Sequence, residues 1–256
     1  MRMASREPVT IYTQPSGLAA AIDPYGAQLA SLKTAAGGQE IIWQGDSRTW
    51  PEHAPILSPL ISQLPGGHIH HRGRDYPMPP HGFAHSRELG ISQRAESGCV
   101  FELRDAEGTR AHYPFAFGLG GGFDLSEDGL MVTIAVENPN GEPMPADTGF
   151  HPGFNRPLTP GRTRDEYAVV FDQDDDQDEP APVRRGGDDP VLLYPQGEPT
   201  PVEGKVPRPR EGIFAGSPIV FDRLKRQVVD VWRAGRARLA GGLSRKPAPG
   251  PLDDPG

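Results

Sequence analysis

Two short segments of this chain carry residue types suited to proton transfer. Pro80-His81-Gly82-Phe83-Ala84 and Gly149-Phe150-His151-Pro152-Gly153-Phe154-Asn155 each set one histidine among glycine, proline and an aromatic residue. Histidine is the side chain whose ordinary titration falls near neutral pH. Glycine permits close approach of a ligand, and phenylalanine offers a face to an apolar ligand surface. Either histidine alone reads as a polar residue satisfied within a turn. Two of them, far apart in the chain but alike in surroundings, suggest an acid/base site assembled across a β framework.

The elements that must position them read as strands. Val9 to Tyr12, Leu18 to Ile22 and Ala27 to Leu32 are short apolar or alternating runs, and Glu40 to Asp46 reads as a strand leading into a turn. Val100 to Arg104 alternates apolar with charged residues. Gly122 to Leu125, a turn at Glu127-Asp128-Gly129 and Leu130 to Val136 read as a hairpin or meander with one buried face. Short strands punctuated by turn residues point to an all-β sandwich or barrel. The 32 glycines and 30 prolines among 256 residues disfavour long helices. We expect one domain over residues 1–233 and a disordered Arg/Ala/Gly/Pro-rich tail over 234–256, with no internal repeat.

Charge narrows the partners. A net charge of -8 argues against nucleic acid or an anionic membrane surface and favours a small neutral ligand. Cys99 is the only cysteine, so no intramolecular disulfide can form, and a cytoplasmic setting is expected. No apolar run follows the N-terminal arginines, and no stretch reaches transmembrane length. The acidic run Asp174 to Glu179 is expected to be a solvated loop, since its aspartates lack the spacing and glycine of a calcium loop. The sequence carries no signal of oligomeric state.

The two histidine motifs, taken with their neighbours, resemble the aldose 1-epimerase (galactose mutarotase-like) superfamily. The likeness begins at Trp43-Gln44-Gly45-Asp46 and Ala54-Pro55-Ile56-Leu57, passes through His81-Gly82-Phe83-Ala84 and Tyr113-Pro114-Phe115, and continues through Val136-Glu137-Asn138, Met144-Pro145 and Gly149-Phe150-His151-Pro152. It ends near Ile213-Phe214 and Val220-Phe221-Asp222, so that it covers roughly residues 9 to 232. The resemblance implies a twisted antiparallel β-sandwich, or supersandwich, whose concave face binds an aldose and interconverts its α and β anomers. It implies no metal, nucleotide or other cofactor. On this likeness His151 is the acid, and His81 contacts the sugar and supports the developing charge. Gln63, His85, Phe154 and Asn155 are the candidate sugar-binding residues.

The chain also departs from that pattern. Ser62-Gln63 stands where family members commonly carry Gly-Arg, His85 where the first motif often ends in Arg, and Ser217-Pro218 where an aspartate is often found. Absence of those arginines disfavours a phosphorylated sugar. The family's catalytic base is a late glutamate, and the last glutamate here is Glu211. We therefore expect the C-terminal strands to be missing or altered, with lowered stability and weak catalysis; in the competing reading another carboxylate serves, with Asp147 and Asp222 as the candidate substitutes. Two alternatives stand beside the enzyme. One is a non-catalytic carbohydrate-binding protein on the same fold. The other is a metal-dependent enzyme using Gly67-His68-Ile69-His70-His71, which resembles part of a cupin ligand set but has Arg74 near the glutamate position.

Overall fold

The structure, a computed structural model, describes residues 7–13, 17–34, 38–158, 161–163, 166–171, 184–185, 219–220, 228–233 and 238–242. The chain falls into two compact units, Met1–Pro160 and Gly161–Gly256.

In the first unit, β1 (Val9–Tyr12), β2 (Ala19–Asp23) and β3 (Gln28–Lys33) form an antiparallel sheet in that order. In β1, Val9 and Ile11 are buried while Thr10 and Tyr12 are exposed, the period of two that a one-sided strand imposes. Next come β4 (Ile56–Leu57), then β5 (His68–His71) and β6 (Arg74–Pro77), which pair as a hairpin. β7 (Gly90–Arg94), β8 (Gly98–Arg104), β9 (Gly118–Ser126) and β10 (Gly129–Glu137) build a four-stranded antiparallel sheet in the order β10-β9-β8-β7. A short helix, α1 (Glu107–Arg110), connects β8 to β9, and β11 (Gly149–Phe150) pairs with β4. The expected hairpin around Glu127 and Asp128 is the β9–β10 turn, with Gly129 opposite Ser126.

One hydrophobic core draws on both larger sheets. It includes Val9, Ile11, Ile22 and Leu29 from the first, and Phe101, Phe123 and Leu125 from the second. Phe101 and Phe123 meet nearly edge-on, with centroids 6.2 Å apart, the arrangement that the ring quadrupoles favour. Ile56 of β4 also joins this core and is fully buried. Its place depends on a glycine of β9, because a Cβ on Gly121 would lie only 2.5 Å from the Ile56 Cδ1. Bare backbone at Gly121 thus lets the segment around Ile56 settle onto the sheet.

The second unit contains β12 (Tyr167–Phe171), β13 (Arg184–Arg185), β14 (Ile219–Val220), β15 (Val228–Arg233) and β16 (Arg238–Gly242). Its sheets run β12-β15-β16 and β13-β14, again antiparallel. Among the described residues every paired strand is antiparallel and helix is nearly absent, so the all-β expectation holds. β16 falls in the stretch expected to be disordered. The acidic run, Ile213-Phe214, Ser217-Pro218, Asp222 and the final residues lie outside the described residues. One reading is corrected. Glu40 to Asp46 forms no continuous strand but only isolated bridges at Glu40, Ile42 and Asp46. The Glu40 carboxylate accepts the Leu32 and Ile42 N–H groups, and Trp43 N–H turns to the Gly153 carbonyl, so the ladder is broken up among several partners.

Candidate active site

Both histidine motifs hang on one stretch of chain, His53 to Ser62. Along one side, Gly149 and Phe150 pair with Leu57 and Ile56, His151 N–H donates to the Pro55 carbonyl at 3.0 Å, and Gly153 N–H donates to His53 at 2.8 Å. Asp147 N–H reaches the Pro59 carbonyl at 3.0 Å. Along the other side, the Ser58 carbonyl accepts both the Phe83 and Ala84 N–H groups at 3.1 Å, and His81 N–H donates to the Ser62 carbonyl at 2.6 Å. Backbone hydrogen bonds alone therefore bring the second motif and the first to opposite sides of the same spine.

Gly82 makes the first of these contacts tight. It has φ +72°, where an L side chain is strained, and a Cβ there would overlap the Ser58 carbonyl and come within 2.7 Å of the Pro59 nitrogen. The neighbouring His81 is itself in the left-handed region, with φ +63°. A non-glycine residue held there costs of order 1–3 kcal/mol and marks a site worth functional attention. Phe83, next along, anchors the motif by packing among Tyr113 and Phe117.

The side chains converge. The His81 and His151 rings stack with centroids 5.9 Å apart, and Trp50 lies tilted against His151 at 4.9 Å. Ser62 N–H donates to His81 Nδ1 at 3.1 Å, so that nitrogen carries no proton and the hydrogen-bond pattern assigns the proton to Nε2. Burial, then the positive charge available to His151 and His85, hold the His81 pKa below its ordinary value, which favours the same neutral ring. His85 behaves oppositely. Its Nδ1 lies 2.8 Å from Glu52 Oε1 in a pair whose side chains are only 22% and 28% exposed. That hydrogen bond outweighs burial and raises the His85 pKa. The carbonyls of Gly82 and Pro80 push it the same way. The Glu52 carboxyl is correspondingly lowered, first by His85 and further by the Trp50 indole and His151, against the opposing effect of burial.

The structure thus brings together His81, His85 and His151 of the expected residues, and distributes the others. Gln63 is half-buried and makes no hydrogen bond among the described residues. Phe154 is exposed and bridges to Ile42 through its backbone. Asn155 spends both amide protons on the carbonyls of Glu40 and Ile42, at 3.1 and 2.8 Å, and so staples the second motif to the chain before it. His85 is occupied by Glu52. Asp147 is exposed. One member of the cluster, Glu52, was not read from the sequence; the only signal for it was its place just ahead of Ala54-Pro55-Ile56-Leu57. Of the histidine-rich hairpin, His70 pairs with Asp75 and His71 packs on Phe115. No three His, Cys, Asp or Glu side chains among the described residues converge on a metal-sized position.

A family model described as aldose 1-epimerase matches residues 9–181, which include both motifs and the spine between them. The chain belongs to the aldose 1-epimerase family. Among solved structures, a galactose mutarotase-like protein from Lactobacillus casei is similar with a TM-score of 0.79 and 27% identity, over 90% of this chain and 76% of that one. A galactose mutarotase related enzyme from Lactobacillus acidophilus gives 0.78 and 25%, over 88% and 73%. The chromosomal protein LacX of Lactococcus lactis is 29% identical over 154 residues, 58% of this chain and 51% of LacX. The chain therefore spans about half the length of the curated relatives it matches. Within the epimerase family, the mutarotase-like fold is the setting in which the histidine cluster sits. No helix among the described residues is long and apolar enough to cross a membrane.

Proposed function

We propose that this member of the epimerase family binds an unphosphorylated aldose at the His81–His151 cluster and interconverts its α and β anomers. The observation that carries this reading is the stacking of two motif histidines, one from each side of the spine, at 5.9 Å. Anomer exchange requires a proton to reach the ring oxygen while another leaves the anomeric hydroxyl. The C1–O5 bond then opens to an aldehyde, rotation about C1–C2 exposes the other face, and closure reverses both transfers. His151, exposed and free of the strained turn that fixes His81, is the group we assign to protonating the ring oxygen. Neutral His81, with its proton on Nε2, donates a hydrogen bond to a sugar oxygen and stabilises charge that develops there. Trp50 supplies an aromatic wall beside His151. The ionised Glu52 disfavours a phosphate group at this place.

The test is exchange spectroscopy on the α and β anomeric protons of glucose and galactose at equilibrium. The protein should speed their exchange, and His151→Ala should return it to the buffer rate. Sugar-dependent changes in the protein spectrum without faster exchange would instead select a carbohydrate-binding protein on this fold.

A further inference from the structure

The two histidines do not complete the reaction. Each turnover needs a group that takes a proton at the same moment as His151 gives one. His81 cannot take it at the exposed end of its ring, because the Ser62 N–H occupies Nδ1 and the proton therefore stands on Nε2. Among the described residues, the cluster holds another candidate acceptor. Glu52 is placed for it. Its carboxylate is hydrogen-bonded to His85, four residues beyond His81, while Trp50, two residues before it, packs on His151. Through its partner His85 and its chain neighbour Trp50 it is linked to both motifs.

We propose, on the mutarotase reading above, that Glu52 accepts the proton of the anomeric hydroxyl and that His85 is the positioning residue that holds it. In the opening step the O1–H proton passes to the Glu52 carboxylate, the C1–O1 bond becomes a carbonyl, the C1–O5 bond breaks, and the ring oxygen takes a proton from His151. Closure on the other face returns both protons, so no further reactant is consumed. A carboxylate offers four lone-pair positions, so the bond to His85 leaves it able to accept from the sugar. His85 also favours the ionised carboxylate, the form that can accept, and the backbone of Gly82 and Pro80 acts on His85 as well, which ties the pair to the His81 turn.

The experiment compares wild type, Glu52→Gln, His85→Ala and His85→Asn by exchange spectroscopy across a range of sugar concentrations. Glu52→Gln keeps the shape and the hydrogen-bonding reach but cannot take a proton; kcat should fall about 10²–10⁴-fold with KM little changed. His85→Ala should lower kcat, and His85→Asn, which returns a donor near the Nδ1 position, should recover much of that loss; a merely structural role would alter stability without this pattern. An active wild type with an equally active Glu52→Gln overturns this assignment and leaves the mutarotase reading intact. An inactive wild type overturns both. A second measurement needs no variant: nitrogen-15 spectra of the wild-type histidines should show His81 protonated on Nε2. A proton on Nδ1 would free Nε2 as the acceptor and remove the need for Glu52.

Discussion

Two regions of this molecule are rich in histidine, and they differ in almost everything else. The β5–β6 hairpin carries three histidines within four residues, yet His68 and His70 are exposed, and the His70–Asp75 pair has side chains 72% and 66% open to solvent. His70 finds its partner, Asp75, within the same hairpin. The His81–His85–His151 cluster also has three histidines, but they come from two segments far apart in the chain and meet on a shared spine. There the His85–Glu52 pair is only 22% and 28% exposed. Water screens the first pair almost fully and the second much less, and in the second the neighbours push the two titrations apart, His85 upward and Glu52 downward. The lesson is that local density of a reactive residue type is a poor guide to a site. Convergence from distant segments into a partly desolvated place is a better one.

The comparison can be broken most forcefully at His151. Replacing it with alanine should reduce anomer exchange about 10²–10⁴-fold while the melting curve stays close to that of wild type, since the ring is exposed. Next in size is the spine itself. Gly82→Ala should destabilise the protein by about 1–3 kcal/mol or more, measured by denaturant unfolding, because a side chain would be strained at positive φ and would strike the Ser58 carbonyl. Ile56→Ala should cost about 2–5 kcal/mol by the same measurement, through the cavity it leaves against Gly121.

A smaller effect concerns pH. The raised pKa of His85 means its contribution to stability is complete below the ordinary value of 6.5 and is lost as pH climbs through the raised value. For Glu52, lowered from 4.5, the contribution is present above that value and disappears as pH drops through the depressed one. His81 has the opposite sign to His85: its lowered pKa makes the unfolded chain the better proton binder below 6.5, so it subtracts stability on the acid side. A series of melting temperatures against pH should therefore lose its alkaline decline in His85→Asn more than in any hairpin variant. The smallest effect should be His70→Ala. With both partners exposed, it should change stability by less than about 0.5 kcal/mol and leave anomer exchange unaltered.

Much of the framework was legible because burial writes itself into alternation. β1 to β3, β8 and β9 each carry buried apolar residues that a reader can pick out, β10 alternates half-buried with exposed positions, and the Glu127-Asp128 turn marks its own hairpin. β7 was missed because all five of its residues are exposed, so no apolar face records the strand. Glu40 to Asp46 was read as a strand from its isoleucines, but its hydrogen bonds go to residues near Gly153 and Asn155, a pairing that no local pattern reveals. The same limit governs the site. His81 and His151 stood out by their glycine and aromatic neighbours. Asn155 stood out equally, yet its amide is spent on the backbone of Glu40 and Ile42. Glu52 did not stand out at all, for its meaning comes from His85, thirty-three residues away.

The central claim is that the paired motif histidines form a working acid/base site. Polarimetry of freshly dissolved α-D-glucose and α-D-galactose tests it most directly, with wild type and His151→Ala compared against buffer. The account predicts that rotation reaches its final value sooner with the wild type, and at the buffer rate with the variant. A folded wild-type protein that leaves the approach to equilibrium unchanged for both sugars would contradict it.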